Sequence, residues 1–327
     1  MEKTLSVVGH GSWATALVKL AAENGTSVVW YVPNDGVRLS LQTTGKNSKY
    51  LTDTELPMER IVLTDSLPYA VGASPHLLFV VPSAYLRSTL SPLLGVSLDG
   101  KVVISAIKGL EVQSGRLISG FFSQVFGVPS ARYAVIGGPS HAEEVVKRYP
   151  AYLTLAAADV TVASDIFGHF ANDAIRIEYT GDVAGVEYAG VLKNIYAIGA
   201  GMAVGAGYPD NFLSVYVACC LNEMKEYLAR TLPGNRDVTA SAYAGDLLVT
   251  AYSAHSRNRT LGRLLGSGKT VAEAMAEMKM VAEGFNAAKL IVEKHHCHKP
   301  IVKIIYEALH HDASAGNSLL RLRSALS

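Results

Sequence analysis

A chain of 327 residues exceeds the ~250–300 at which a single hydrophobic core stops growing, so two domains are expected. With 49% hydrophobic and 17% charged residues it can bury a large core, which excludes a disordered chain. A net charge of +1 leaves no basic footprint for nucleic acid. The most apolar run, Ile195 to Tyr208, is glycine- and alanine-rich and shorter than the ~20 residues that span a bilayer, so the protein is expected not to be membrane-embedded. Lys3 followed by apolar residues is better explained by His10, Lys19 and the glycine pattern than by a signal peptide, and cytoplasmic residence with reduced Cys219, Cys220 and Cys297 is expected.

Taken in order, the chain opens with a β-rich run, Leu5 to Gly9, that feeds into a G-x-G-x-x-A turn formed by Gly9, Gly11 and Ala14. Ala14, Leu17, Val18 and Ala21 then mark one apolar helix face, Gly25 stops the helix, and Ser27 to Tyr31 forms a second strand. In this strand–turn–helix setting Gly9 permits the tight turn and Gly11 lets the backbone approach a pyrophosphate, while Ala14 lets helix and strand pack closely. The helix N-terminus offers N–H groups to the phosphates. After the second strand an acid would bond a ribose 2′-hydroxyl and an arginine would accommodate a 2′-phosphate. Tyr31-Val32-Pro33-Asn34-Asp35 has no adjacent arginine and leans toward NAD, although Asp35 comes late and Arg38 is within reach.

Further strands are expected at Ile61–Thr64, His76–Val81, Val102–Ala106, Tyr133–Ile136, Tyr152–Ala156 and Ile175–Tyr179, with helices or turns between most of them. The fold class is α/β: an N-terminal Rossmann-type doubly wound sheet over residues 1–183, followed by a mainly helical domain over 184–327. Functional loops at strand ends then include Pro82 and Ser83, Lys108 and Gly109, and Gly137 to Ser140. Lys108 reads either as an ordinary loop lysine or as a cation for an anionic substrate. Ser140 reads either as a substrate contact or as the cap of a helix starting at His141.

Beyond Gly185 long helical patterns take over, at Glu187–Ala206, Phe212–Leu232 and Thr270–His296. Glycines 185, 190, 199, 201 and 205 each cost an exposed helix ~1 kcal/mol, so they imply close approach of neighbouring backbones. Lys193 stands among Val191, Leu192, Ile195 and Tyr196, where it is either a snorkelling surface lysine or a buried cation with a partner and a function. Asp246, after Gly245, is either a helix cap or a site carboxylate. Ser256, Arg257 and Asn258 form either a solvated basic turn or a phosphate clamp at a helix start. His295, His296, His298, His310 and His311 lack metal-ligand spacing, so no metal is expected.

GHGSWATAL, VVPSAYLR, AIKGLE, GGPSHAEEV, GVEYAGVLKNIYAIGAG, AGDLLVT, SRNRTLG and VAEGFNAAK, in that order, resemble the bacterial NAD(P)-dependent sn-glycerol-3-phosphate dehydrogenases. The resemblance implies interconversion of sn-glycerol 3-phosphate and dihydroxyacetone phosphate in the cytoplasm, feeding glycerophospholipid synthesis, by a homodimer acting on a small phosphorylated three-carbon substrate with NAD or NADP. It implies that the catalytic residues are Lys193, the acid/base, with Lys108 and Asp246. Lys108, Gly138, Ser140, Lys193, Asn194, Asp246, Ser256, Arg257 and Asn258 match substrate positions. Gly9, Gly11, Ser12, Trp13, Tyr50, Lys108, Ala142, Arg257, Val281 and Glu283 match cofactor positions. The chain departs from the family at Ala14, where glycine is usual, and at Val32 or Pro33, near which arginine is common. It also departs at Cys219 and Cys220 and in the glycine-poor SAYAGDLL. Alternatives are a related two-domain dehydrogenase of another hydroxy acid, and a non-catalytic NADH-sensing module.

Overall fold

A computed structural model describes residues 3–278, 282–311 and 314–326. The chain divides into two compact units, one of Met1–Ile107 with Ile118–Val183, the other of Lys108–Leu117 with Ala184–Ser327. The linear reading, with its boundary at 183/184, assigns Lys108–Leu117 to the first unit. In the structure this excursion groups with the helices.

The first unit is built on β1 (Thr4–Val8), α1 (Ser12–Glu23), β2 (Ser27–Tyr31), α2 (Asp35–Thr44), β3 (Ile61–Thr64), α3 (Leu67–Ala73), β4 (His76–Phe79), α4 (Leu86–Leu90) and β5 (Val102–Ser105). It continues with α5 (Ile118–Phe126), β6 (Tyr133–Gly137), α6 (Ala142–Val145), β7 (Ala151–Ala157), α7 (Val160–Phe170) and β8 (Ile175–Thr180). The eight strands lie in the order β3-β2-β1-β4-β5-β6-β7-β8. All neighbours are parallel except β6 and β7. Central strands are largely apolar, as burial on both faces favours: four of five residues of β1 and all four of β5 are buried, Ser6 and Ser105 among them. The apolar stripe of α1, with Ala14, Leu17, Val18 and Ala21 inaccessible, packs into the same core as Leu5, Val7 and Trp30.

The second unit comprises α8 (Val183–Gly205), α9 (Asp210–Thr231), α10 (Asp246–Tyr252), α11 (Arg257–Gly266), α12 (Val271–Glu277), α13 (Glu283–Glu293), α14 (Pro300–His310) and α15 (Ala315–Ala325). The single helix expected over Thr270–His296 is two helices. A capping box of Thr270 and Glu273 opens α12, which stops at an extended Met278, and Asn258 Oδ1 takes the Gly284 N–H in the first turn of α13. The apolar periodicity runs on through the break, so the pattern does not disclose it.

The α8–α11 crossing explains several glycines. A Cβ on Gly201 would lie 2.1 Å from Arg259 O, one on Gly205 2.2 Å from Arg263 O, one on Gly262 1.9 Å from Ile198 O and one on Gly266 2.1 Å from Met202 O. The helices therefore touch backbone to backbone, each through a pair of glycines four residues apart. Gly190 is different: a Cβ there would lie 3.9 Å from Lys108 Cβ, an ordinary contact. Among the described residues no helix is long and apolar enough to cross a membrane.

Candidate active site

In the first unit the glycine turn is fixed by contacts that leave little choice of residue. Gly9 has φ +122°, and a Cβ there would fall 2.2 Å from Val80 O. Its carbonyl accepts from the fully buried Trp30 indole at 2.6 Å. Gly11 is the N-cap of α1 and supplies no side-chain cap, and a Cβ on it would meet nothing within 4 Å. The turn thus combines a rigid floor with an open approach to the first-turn N–H groups of α1, which include those of Ser12 and Trp13. That donor set fits a dinucleotide pyrophosphate. Small Ala14, wholly buried, meets the same packing need as glycine.

Asn47, which sequence reasoning does not single out, holds the loop beside this turn. It is inaccessible, and its amide donates to His10 O (3.0 Å) and Thr15 Oγ1 (2.9 Å) while its oxygen accepts from Lys49 N (3.0 Å) and Tyr50 N (3.2 Å). Tyr50 lies edge-on to His10, with centroids 6.3 Å apart. The only local signal is an asparagine two and three residues before the N–H groups it accepts from, the pattern of an Asx turn.

After β6, Gly138 has φ +93°, and a Cβ there would sit 2.7 Å from Tyr152 O. Ser140 does not cap the next helix. Its hydroxyl donates back to Gly138 O (3.1 Å), His141 occupies the N-cap, and α6 begins at the buried Ala142. The serine rigidifies the loop instead.

The second unit settles the two-sided readings of Lys193 and Asp246. Lys193 is 4% exposed and Asp246 3%, and the ammonium donates to Asp246 Oδ1. Lys193 is therefore a buried, paired cation on α8, and the surface alternative fails. Asp246 is the first residue of α10 rather than its cap, which is Gly245 at the end of a π-helical turn, Ser241–Gly245. The wide π-helical turn SAYAG leads directly into Asp246, whose carboxylate meets the lysine. Lys108 Nζ stands 3.7 Å from Asp246 Oδ2, so two cations share one carboxylate. Burial, the largest influence, lowers the Lys193 pKa to about 7; Asp246 opposes the shift and Lys108 reinforces it.

A chain of amides fixes these groups. Asn194 Nδ2 donates to Lys108 O (3.1 Å), Asn258 Nδ2 donates to Asn194 Oδ1 (2.9 Å), and Gly284 N donates to Asn258 Oδ1 (2.9 Å). Both asparagines are buried, and their side chains are spent on tying the Lys108 segment to α8, α11 and α13. Ser256 is the N-cap of α11, its hydroxyl accepting from Arg259 N at 3.2 Å. Arg257 opens the helix and is exposed, without an ion-pair partner among the described residues. A guanidinium beside first-turn N–H groups suits a phosphate. Glu283 is the first residue of α13. Val281 lies outside the described residues.

Other titratable groups of the second unit are tied into its packing. His295 bridges Tyr188 (3.1 Å) and Gly115 O (2.6 Å), and His310 reaches Phe285 O (2.9 Å). Glu223 is buried, and its oxygens accept from Ile301 N (2.8 Å) and Val302 N (3.0 Å) at the start of α14. Cys219, Cys220 and Cys297 are free thiols.

A mainly parallel sheet with a glycine turn at a helix N-terminus, together with a helical unit holding a buried lysine–aspartate pair, is the arrangement of a dinucleotide-dependent oxidoreductase. Residues 4–163 match the family model described as NAD-dependent glycerol-3-phosphate dehydrogenase N-terminus, and residues 182–319 match the corresponding C-terminus. The chain belongs to the NAD-dependent glycerol-3-phosphate dehydrogenase family. It is 33% identical over 275 residues to a glycerol-3-phosphate dehydrogenase [NAD(P)+] of Chlorobium phaeobacteroides, covering 84% of this chain and 82% of that one. A second such enzyme, from Salinibacter ruber, is 35% identical over 279 residues, covering 85% and 81%. The crystal structure of glycerol-3-phosphate dehydrogenase from Coxiella burnetii is similar at a TM-score of 0.91 and 26% identity, covering 98% and 99%.

Proposed function

We propose that this protein interconverts sn-glycerol 3-phosphate and dihydroxyacetone phosphate with NAD(P), and that Lys193 is the acid/base. The observation that carries the reading is the buried Lys193–Asp246 pair with Lys108 beside it. The Gly9–Gly11 turn, the start of α1 and Tyr50 hold the dinucleotide, which supplies the hydride-transfer chemistry when bound. Lys193 takes the C2-hydroxyl proton in the oxidising direction and returns it to the carbonyl oxygen in the reducing direction. Asp246 orients the ammonium, Lys108 lowers its proton affinity, and Arg257 with the α11 N-terminus holds the substrate phosphate. Asn194 and Asn258 hold Lys108 and the start of α13 in register, and Gly138 and Ser140 shape the loop after β6. The enzyme works in the cytoplasm as a homodimer, at the entry to glycerophospholipid synthesis.

The test is oxidation of NADH and NADPH by the purified protein with dihydroxyacetone phosphate, against unphosphorylated dihydroxyacetone. Phosphate-dependent turnover is expected, falling at least ~10²-fold in Lys193→Ala with cofactor affinity within about twofold, the scale of a lost general acid. Near-normal turnover in Lys193→Ala would remove the lysine from the mechanism.

A further inference from the structure

β2 ends at Tyr31, and the residue after it is gripped from both sides. Val32 N–H donates to Thr64 O at the end of β3 (2.8 Å), and Val32 O accepts from Arg38 Nη1 (2.9 Å). Arg38 comes from the first turns of α2. Asn34 caps that helix by accepting from Val37 N, which folds α2 back against the strand end. A guanidinium thus stands at the carbonyl of a position where the sequence itself offers only valine and proline.

On its outer side Arg38 Nη2 donates to Asp35 Oδ1 (2.6 Å) and lies 3.1 Å from Asp65 Oδ2, just past β3. The arginine side chain is only 19% exposed, whereas those of Asp35 and Asp65 are 88% and 65% exposed. The cation is rooted in the protein and its anionic partners are solvated. Pairs of that kind are individually weak, and a phosphate that can accept two parallel N–H bonds competes with them effectively.

We propose that Arg38 is the residue that reads the cofactor's 2′-phosphate. α2 returns to the strand end the arginine that β2 lacks, and Asp35 and Asp65 compete with the phosphate for it. When the ribose carries a hydroxyl, the aspartates keep the guanidinium neutralised and an acid is at hand to accept from that hydroxyl. The same three side chains then admit either cofactor, with Arg38 favouring NADP and the aspartates favouring NAD. The inference rests on the dinucleotide-binding reading given above.

The test is calorimetric titration with adenosine 2′,5′-bisphosphate and with ADP, supported by kcat/KM for NADPH and NADH. Arg38→Leu is expected to weaken the bisphosphate at least tenfold and ADP less than twofold. Arg38→Lys, which keeps the charge but loses the fork, falls between. Asp65→Asn is expected to tighten the bisphosphate severalfold and leave ADP unchanged. Equal losses for both ligands in Arg38→Leu, or no loss for either, would overturn the assignment, because a merely structural arginine cannot separate them. If the unaltered protein binds neither ligand, the dinucleotide reading falls as well. If ADP binds and Arg38 is indifferent to the 2′-phosphate, only the present inference falls.

Discussion

Burial drives the Lys193 ammonium toward its neutral form, the Asp246 carboxylate holds it charged, and Lys108 pushes it back toward neutrality; the resulting pKa is about 7. Removing a hydroxyl proton requires the neutral amine, and returning it requires the ammonium. The oxidation rate should therefore rise with pH through an inflection near 7, and the reduction rate should fall through the same inflection. Asp246→Asn removes the influence that raises the pKa and moves the inflection down. Lys108→Met removes one that lowers it and moves the inflection up. The shift between variants identifies the lysine better than the absolute position does, because a substrate phosphate also ionises near ~6. Profiles of kcat/KM against pH in both directions check the signs. Shifts of the same sign in the two variants would show that neither acts through Lys193.

Helices α8 and α11 carry Lys193 and the turn proposed to hold the phosphate, and four glycines set the distance between them. Relief of a Cβ lying 1.9 Å from Ile198 O requires movement of backbone, since no rotamer change can move it away. Gly262→Ala is expected to destabilise by roughly 3 kcal/mol or more, at or beyond the upper end for overpacking. Gly316, in α15, meets nothing within 4 Å, so Gly316→Ala should stabilise by up to ~1 kcal/mol through helix propensity alone. Urea midpoints for the two variants decide whether space or propensity governs. A neutral Gly262→Ala would mean the crossing is looser than backbone contact. The element scale also shows what a linear pattern can carry. Glycines 201 and 205 announce a close approach in the sequence, but the partners Gly262 and Gly266 do not, because a helical period does not name the helix it meets.

Across the whole molecule, what was legible in the sequence was local. The strand–turn–helix around Gly9 and Gly11 follows from backbone requirements of single residues, and the strands follow from short β-rich apolar runs. Whether Lys193 is buried depends on Asp246, 53 positions away, and no periodicity reports that. Asn47 has the composition of any loop residue, and its burial is a tertiary fact. The same holds at the end of the sheet opposite the glycine turn. There His76 Nδ1 meets His169 Nε2 at 2.9 Å, and His169 Nδ1 meets Thr26 Oγ1 at 3.0 Å. Asn24 Nδ2 adds bonds to His169 O (3.1 Å) and Ala171 O (3.0 Å). Burial, the His76 ring and Lys3 lower the His169 pKa from 6.5 to about 4, while burial also lowers that of His76 against a smaller opposing effect of Asp165. Between those values the unfolded chain binds a proton that folded His169 refuses, so this stability is complete above about 6.5 and is lost as pH falls toward 4. The loss from His169 is on the order of 3 kcal/mol, and it comes from the foundations of the sheet rather than from the glycine turn. Urea midpoints measured from pH 7 down to pH 4 should fall steeply for the unaltered protein. His169→Gln, which can keep one hydrogen bond but cannot take the proton, should start lower and fall less. A slope unchanged by His169→Gln would assign the acid sensitivity to carboxylates elsewhere.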